Sequence, residues 1–275
     1  RGLGDVYKRQ LFVCMAIGAQ TVFKNEEVEV SLLKEKTWVF STWDYTTMYL
    51  IEGEDKAVLI DTGTRCADLD KIVGQITGKP LEVIVTHMHP DHAGCIKYFD
   101  KVWMHRADTV LVPQHAADYQ GEFLYMEEGQ VFDLGGRKLE VAWMPGHTPG
   151  SVVLLDKANG DCYSGDAFGS GEVWLQCVPM SPIATFHESC CRMEKLMKEG
   201  HIKDIWCGHY PYLKSSLPLA YIQTMIRISH RLMNGDQEGS EPYSNYFIKM
   251  PPTARKLAEG RAMIVYDSTN IPEAR

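Results

Sequence analysis

The sequence has no apolar run approaching the roughly 20 residues that a membrane-spanning helix needs, so we expect no membrane span. Positive charge is also scarce, since 28 Lys and Arg face 36 Asp and Glu and the formal net charge is −8. Binding to nucleic acid requires clustered Lys and Arg. This charge balance therefore argues against a nucleic-acid partner.

Disulfide scaffolding, internal repeats and linkers are missing as well. The 8 cysteines show no regular spacing, and a chain of 275 residues can bury a core without cross-links. No repeat of solenoid period is visible, and no low-complexity linker divides the chain. With 45% hydrophobic and 23% charged residues, the composition predicts a single folded domain over residues 20–275.

The first 19 residues are expected to stand apart from this domain. The segment DVYKRQ at 5–10 resembles a translated transposon end from a sequencing library, so residues 1–10 are predicted to be an artefact. Residues 11–19 resemble the apolar part of a truncated secretory signal, with a buried N-terminal strand as the alternative. A real signal implies a periplasmic or secreted protein, and its absence implies a cytoplasmic one.

Three imidazoles and a carboxylate fall within six consecutive residues. The six residues are His87, Met88, His89, Pro90, Asp91 and His92. The preceding apolar, β-branched run at 81–85 predicts a buried strand, and Pro90 stops regular structure after it. The first two histidines can therefore converge on one ion at the end of the strand, while the later pair can face a second. Imidazole and carboxylate ligands suit zinc, and iron and manganese are alternative metals for such ligands.

Three further candidate ligands occupy the same kind of position later in the chain. His147 follows the strand-like segment 138–144, Asp166 follows 161–164, and His209 follows 204–207. Each lies beside glycine or proline, where a loop on a rigid scaffold commonly carries function. The recurrence predicts that the three join the histidine-rich loop around metal.

In this order the motifs resemble those of the metallo-β-lactamase superfamily, over about residues 37–213. The resemblance implies a four-layer αββα sandwich of the α/β (α+β) class. By the same resemblance, one metal is held by His87, His89 and His147 and a second by Asp91, His92 and His209, with Asp166 bridging the two and Asp61 supporting the loop from a second shell of contacts.

Two positions narrow the branch that the chain resembles. His89 stands where the diiron redox enzymes of the superfamily usually have Glu, which favours hydrolysis over electron transfer. Asp166 stands where many true lactamases have a cysteine ligand. The pattern is therefore more similar to hydroxyacylglutathione hydrolases, lactonases and phosphodiesterases than to antibiotic hydrolases.

The chemistry of such a centre follows from its charges. Two divalent ions that share a carboxylate can also share a water and lower its pKa toward neutrality, which gives a bridging hydroxide. Asp91 could accept a proton beside that water and pass it to the leaving group. Tyr210 is a candidate for an oxyanion or substrate contact, although a packed aromatic is the more common role for such a residue.

We therefore expect a metallo-hydrolase (EC 3) with two divalent ions, zinc first and iron or manganese next. Its small-molecule substrate would be an ester, thioester, lactone or related compound. The alternatives are a mononuclear iron enzyme similar to persulfide dioxygenases, a β-lactam hydrolase and a noncatalytic metal-binding member. The sequence leaves the substrate and the oligomeric state open.

Other residues carry less signal. The histidines without a matching motif are predicted to be structural or at the surface: His105, His115, His187, His201 and His230. The aromatics that could line a cleft, and could equally well pack in the core, are Trp43, Tyr45, Phe123, Tyr125, Phe168, Trp174 and Tyr212. Periodicity predicts two strands within 27–41, further strands at 47–51, 57–60, 101–105 and 151–156, and helices at 66–76, 91–98, 183–198 and 219–234.

Overall fold

Eight strands form the largest sheet within residues 20–245 and 248–272, which a computed structural model of the protein describes. In chain order they are β1 (Gln20–Lys24), β2 (Val28–Lys34), β3 (Thr37–Thr42), β4 (Thr47–Glu52), β5 (Ala57–Ile60), β6 (Leu81–Ile84), β7 (Lys101–His105) and β8 (Glu122–Met126). Neighbours in sequence are neighbours in space, antiparallel from β1 to β5 and parallel from β5 to β8. The expected artefact and signal-like segment lie outside the described residues.

The later strands build two smaller sheets. They are β9 (Val131–Asp133), β10 (Lys138–Trp143), β11 (Val152–Asp156), β12 (Asp161–Gly165), β13 (Glu172–Trp174), β14 (Asp204–Cys207), β15 (Glu241–Pro242), β16 (Ala254–Glu259) and β17 (Ala262–Asp267). The second sheet has the order β14-β12-β11-β10-β9, and the third has the order β13-β17-β16-β15.

Six α-helices accompany the sheets within the described ranges. They are α1 (Leu69–Gly74), α2 (Pro90–Ala93), α3 (Val112–His115), α4 (Ile183–Lys198), α5 (Tyr210–Leu213) and α6 (Leu219–Met233). Short 3₁₀ turns cover Ile96–Tyr98, Arg106–Leu111 and Ser268–Asn270. Among these described segments, none is a helix of the length and apolarity that crossing a bilayer requires.

The two large sheets pack face to face through the alternating apolar side chains of their strands. The core between them includes Tyr49, Ile60 and Ile84 from the first sheet and Leu139, Leu154 and Tyr163 from the second. α1 and the turns after β6 cover the outer face of the first sheet, while α4, α6 and the third sheet cover the outer face of the second. The predicted αββα sandwich is confirmed.

Three details differ from the sequence prediction. The helix expected over 66–76 begins only at Leu69, because Asp68 has a left-handed backbone with φ 54°. The helix expected over 91–98 divides into α2 and a 3₁₀ turn, because Cys95 leaves the helical region with φ −110° and ψ 17°. The third sheet was not predicted, although its β16–β17 hairpin is regular over six residue pairs.

Candidate metal centre

The seven predicted ligands follow the carboxyl ends of strands in the two large sheets. After β6, His87 and His89 lie in a loop and Asp91 and His92 lie on α2. The loops after β10, β12 and β14 carry His147, Asp166 and His209 respectively. Because the sheets pack face to face, these loops meet along one edge of the sandwich. The structure brings all seven together in two groups, each with its ligand atoms within 4.8 Å of one another.

The first group consists of His87, His89 and His147. His89 Nδ1 lies 2.9 Å from His147 Nε2. Burial lowers the pKa of all three imidazoles, and that of His89 falls to about 3. The rings are therefore neutral near physiological pH, which is the protonation state that binds metal.

The second group consists of Asp91, His92, Asp166 and His209. Asp91 Oδ2 lies 3.5 Å from His209 Nε2 and 3.6 Å from His92 Nε2. Asp166 Oδ2 lies 3.2 Å from His209 Nε2 and 3.9 Å from His147 Nε2 of the first group. Asp166 is thus placed between the two groups, although its bridging of two ions stays a prediction.

Opposite charges dominate the electrostatics of the second group. Burial alone lowers the pKa of His92 and His209, but the carboxylates of Asp91 and Asp166 outweigh it and raise both pKa values well above the ordinary range. Burial raises the pKa of the two carboxyls, and the imidazoles outweigh it and lower both. Without metal, protons on the imidazoles balance the two negative charges, and a cation can replace them.

Buried polar atoms without partners mark where a cation fits. His87 Nε2, His92 Nε2 and Asp166 Oδ1 are inaccessible to solvent and have no hydrogen-bond partner among the described residues. An unpaired buried polar atom costs about 1–3 kcal/mol, so such atoms rarely occur without a role. Imidazole nitrogens and carboxylate oxygens are typical ligands of zinc, and they also suit iron and manganese. The residues present therefore fit a divalent metal centre.

Asp61 accepts hydrogen bonds that fix the histidine-rich segment after β6. Its Oδ1 accepts the backbone N–H of Thr86 at 2.7 Å, and its Oδ2 accepts the Thr86 hydroxyl at 3.0 Å and His92 Nδ1–H at 2.8 Å. Since the Thr86 hydroxyl donates to Asp61, it accepts from His87 Nδ1 at 3.1 Å. These bonds turn Nε2 of both imidazoles toward the centre, as outer hydrogen bonds of metal ligands commonly do.

Backbone carbonyls orient two further imidazoles. His147 Nδ1 donates to the Trp174 carbonyl at 2.7 Å, and His209 Nδ1 donates to the Tyr45 carbonyl at 3.2 Å. Each ring therefore presents Nε2 to its group. Neither carbonyl carries a side-chain signal, so sequence patterns could not identify these contacts.

Sequence reasoning missed Asp108, which ties two ligand loops together. Its buried carboxylate accepts the Met88 N–H at 2.9 Å, the Thr148 hydroxyl at 2.9 Å and the Gly150 N–H at 2.6 Å. The first bond fixes the loop after β6, and the other two fix the loop after β10. These partners are 20 to 42 positions away in sequence, so no local motif reveals them. The only available signal was a lone aspartate shortly after a strand.

Two glycines let the loops approach closely. A Cβ at Gly208 would lie 2.5 Å from both Asp166 Oδ1 and His92 Cε1. A Cβ at Gly165 would lie 2.1 Å from Thr86 Oγ1, and the backbone there has φ +47°. Glycine is therefore required at both positions for the two groups to adjoin.

Three tyrosines, Tyr45, Tyr210 and Tyr212, lie near His209 of the second group. The predicted contact residue Tyr210 packs its ring on Trp206 at a centroid distance of 5.9 Å, and its contact with substrate stays a prediction. The exposed rings of Tyr45 and Tyr212 stack on each other at 5.0 Å, and the Tyr212 ring lies 6.0 Å from that of His209. The stacked pair offers an apolar surface beside the centre.

The histidines without a motif differ in their relation to the centre. His115 is partly buried, with its ring 5.9 Å from that of His89. It therefore lies against the first group, and its predicted structural or surface role stays a prediction. His105 stacks on Trp143 at 4.9 Å.

The fold and the site together define an αββα sandwich with two adjoining groups of candidate metal ligands at one edge. A family model described as "Metallo-beta-lactamase superfamily" matches residues 41–187, and the chain belongs to that superfamily. A structure titled "Metallo-beta-lactamase from Pontibacter korlensis" superimposes with a TM-score of 0.60 over 74% of this chain and 99% of its own. Its identity of 17% supports the fold alone.

Among named relatives, the chain is similar to the human acyl-coenzyme A thioesterase MBLAC2, with 25% identity over 62% of this chain and 75% of the relative. It is also similar to a hydroxyacylglutathione hydrolase from Francisella philomiragia, with 24% identity over 68% of this chain and 73% of the relative. Both relatives are hydrolases. The predicted membership of the superfamily is therefore confirmed, and the relatives support the hydrolase class.

Proposed function

We propose that this chain is a metal-dependent thioesterase that uses a two-ion centre to hydrolyse an acyl thioester of a small-molecule carrier. The observation that carries the proposal is the convergence of seven candidate ligands in two adjoining groups, with three buried atoms that have no hydrogen-bond partner among the described residues. The names of the two relatives, an acyl-coenzyme A thioesterase and a hydroxyacylglutathione hydrolase, support a thioester over a lactone or a simple ester.

The two groups divide the metal ligands between them. One ion would be held by His87, His89 and His147 and the other by Asp91, His92 and His209, with Asp166 between the two groups. When bound, two divalent ions supply a water of near-neutral pKa and a Lewis acid for the thioester carbonyl oxygen. Zinc fits this donor set best, because five of its seven members are imidazoles.

Asp91 is the proton carrier in this proposal. Its side chain is 35% exposed, against 14% for Asp166 and 19% for His209, so it faces the open side of the centre. The carboxylate accepts the proton that the attacking water loses as the new C–O bond forms. It then donates that proton to the sulfur as the C–S bond breaks, which yields a carboxylic acid and a thiol.

The stacked Tyr45 and Tyr212 rings supply the substrate surface. They lie beside His209, at the rim of the group that contains Asp91. An acyl chain laid on these rings would be covered on one side by apolar surface and would leave the carbonyl near the ligands.

Metal analysis joined to a substrate panel tests the proposal. The zinc-loaded chain should hydrolyse an acyl-coenzyme A faster than the matched oxygen ester, a lactone, a phosphodiester or a β-lactam. Asp91→Ala should lower turnover at least about 100-fold, whereas the exposed control Asp118→Ala should not. One iron per chain with oxygen consumption would contradict the proposal, as would a preference for β-lactams.

A further inference from the structure

A second cluster of metal-ligating side chains lies where α4 and α6 pack together. We call it the helix cluster, and it consists of His187, Cys191, Ser229 and His230. His187 and Cys191 are four positions apart on α4 and therefore share one face of the helix. His187 Nε2 lies 3.5 Å from Cys191 Sγ. None of these residues contributes to the seven-ligand centre.

The hydrogen bonds of Ser229 fix the orientation of the His187 ring. The Ser229 hydroxyl donates to the Met225 carbonyl at 2.7 Å. Its oxygen therefore accepts from His187 Nδ1–H, which lies 2.9 Å away. This arrangement leaves the lone pair of Nε2 directed at the sulfur, and an outer hydrogen bond of this kind is usual for a histidine that ligates metal.

The separation of the two atoms matches a pair of ligands on one ion. Zinc binds nitrogen at about 2.0–2.1 Å and sulfur at about 2.3 Å, and tetrahedral angles then place the two ligand atoms about 3.5 Å apart. The observed separation of Nε2 and Sγ is 3.5 Å, a hydrogen bond from the thiol to the imidazole that a bound ion would replace without moving either atom. The exposed ring of His230 lies 5.9 Å from that of His187 and contacts the Asn234 amide at 3.4–3.5 Å, so it would leave that amide and rotate to become a third ligand.

The charges around the sulfur favour a cation over a reactive thiolate. Burial, followed by Glu194 and Glu188, raises the pKa of the Cys191 thiol. Burial, followed by His230, lowers the pKa of His187. The pair is therefore a neutral thiol beside a neutral imidazole, which does not suit a nucleophile. Of the two carboxylates, Glu194 is paired with Lys198 at 2.8 Å, so Glu188 is the one that would attract a divalent ion.

We propose that the helix cluster is a second metal site, which binds one soft divalent cation such as zinc through His187 Nε2 and Cys191 Sγ. His230 provides the third ligand, and water completes the coordination. Binding removes the proton from the Cys191 sulfur and releases it to solvent. The site shares no residue with the seven-ligand centre, so tests of metal binding here do not depend on the proposed thioesterase activity.

Cobalt titration of the metal-free full chain tests the site. A thiolate bound to Co²⁺ gives an intense near-ultraviolet charge-transfer band, and the seven-ligand centre contains no thiol. The band should appear in the native chain and be lost in Cys191→Ser and His187→Ala. It should persist in the control His201→Ala, which changes an exposed histidine outside the cluster. Ser229→Ala should weaken cobalt affinity roughly 10- to 100-fold.

Protection from alkylation provides a test without substitutions. The seven described cysteines are all free thiols, and Cys191 is the one among them that is exposed to solvent. Zinc should slow the reaction of Cys191 with iodoacetamide, measured by mass spectrometry of its peptide.

Three results would overturn the proposal. The first is no charge-transfer band in the native chain, and the second is a reaction of Cys191 that zinc does not slow. The third is a band that survives Cys191→Ser and disappears in Cys177→Ser. Burial, followed by the nearby charges of Asp91 and Asp166, raises the pKa of the Cys177 thiol, so that result would assign the band to the seven-ligand centre.

Discussion

Asp61 accepts a 2.8 Å hydrogen bond from His92 and, through Thr86, also sets the orientation of His87. One buried carboxylate thus positions an imidazole in each of the two ligand groups. Asp61 itself has a left-handed backbone with φ 64°, a conformation that aspartate and asparagine tolerate better than most residues. The residue type is therefore required by both the backbone and the hydrogen bonds.

Removal of this carboxylate should weaken metal binding in both groups. Asp61→Asn retains the shape and the backbone preference but replaces one acceptor oxygen with a donor, which opposes His92 Nδ1–H. We expect metal affinity to fall roughly 10- to 100-fold, measured by competition with a chelator. An affinity equal to that of the native chain would show that Asp61 does not orient the ligands.

The close approach of the two groups can be tested at Gly208. In Gly208→Ala the new Cβ would lie 2.5 Å from Asp166 Oδ1, so the carboxylate must move. Displacement of a catalytic group by about 1 Å can cost about 100-fold in rate, and we expect a loss of at least that size. Gly78→Ala is the matched control, because a Cβ there meets no atom within 4 Å. Equal activity in the two variants would contradict the geometry.

The two groups should lose metal at different pH values. Carboxylates hold the pKa of His92 and His209 above the ordinary range, so protons compete with metal for the second group as the pH falls. Burial holds the pKa of His87, His89 and His147 below the ordinary range, so protons compete weakly for the first. Acidification from about pH 8 to about pH 5 should release the ion of the second group first. Metal content after desalting at each pH measures the steps, and simultaneous loss of both ions would contradict this order.

The tyrosine pair should affect substrate binding more than turnover. Tyr212→Ala removes the exposed ring beside His209, and we expect KM for a long-chain acyl thioester to rise roughly tenfold with little change in kcat. This rise corresponds to about 1.4 kcal/mol of lost contact. Tyr212→Phe retains the ring and should retain the native KM. A fall in kcat alone in Tyr212→Ala would assign Tyr212 to another role.

Sequence alone identified the seven residues that the structure brings together, because each motif combines a reactive side chain with a strand end. The residues Asp166 and His209 are predictable from glycine and an apolar run beside them, and His87 from the strand before it. The αββα architecture followed from the resemblance that those motifs carry. Strand predictions were reliable where apolar residues were dense, as in the continuously buried β4 and β5.

The missed features depend on contacts between distant segments. Asp108 binds partners up to 42 residues away, and Ser229 orients His187 across two helices. The stacking of Tyr45 on Tyr212 joins the loop after β3 to α5, which is far away in sequence. Local patterns cannot reveal such pairs, because the same residue types serve equally well in a core or on a surface.

The number of ions needed for activity tests the central claim most directly. Metal-free protein should be titrated with Zn²⁺ in the Cys191→Ser chain, so that the helix cluster does not take up metal, while acyl-coenzyme A hydrolysis is followed. A two-ion centre predicts that the rate reaches its plateau at two zinc ions per chain. A plateau at one ion per chain, or no thioester hydrolysis at any zinc content, would contradict the two-ion thioesterase.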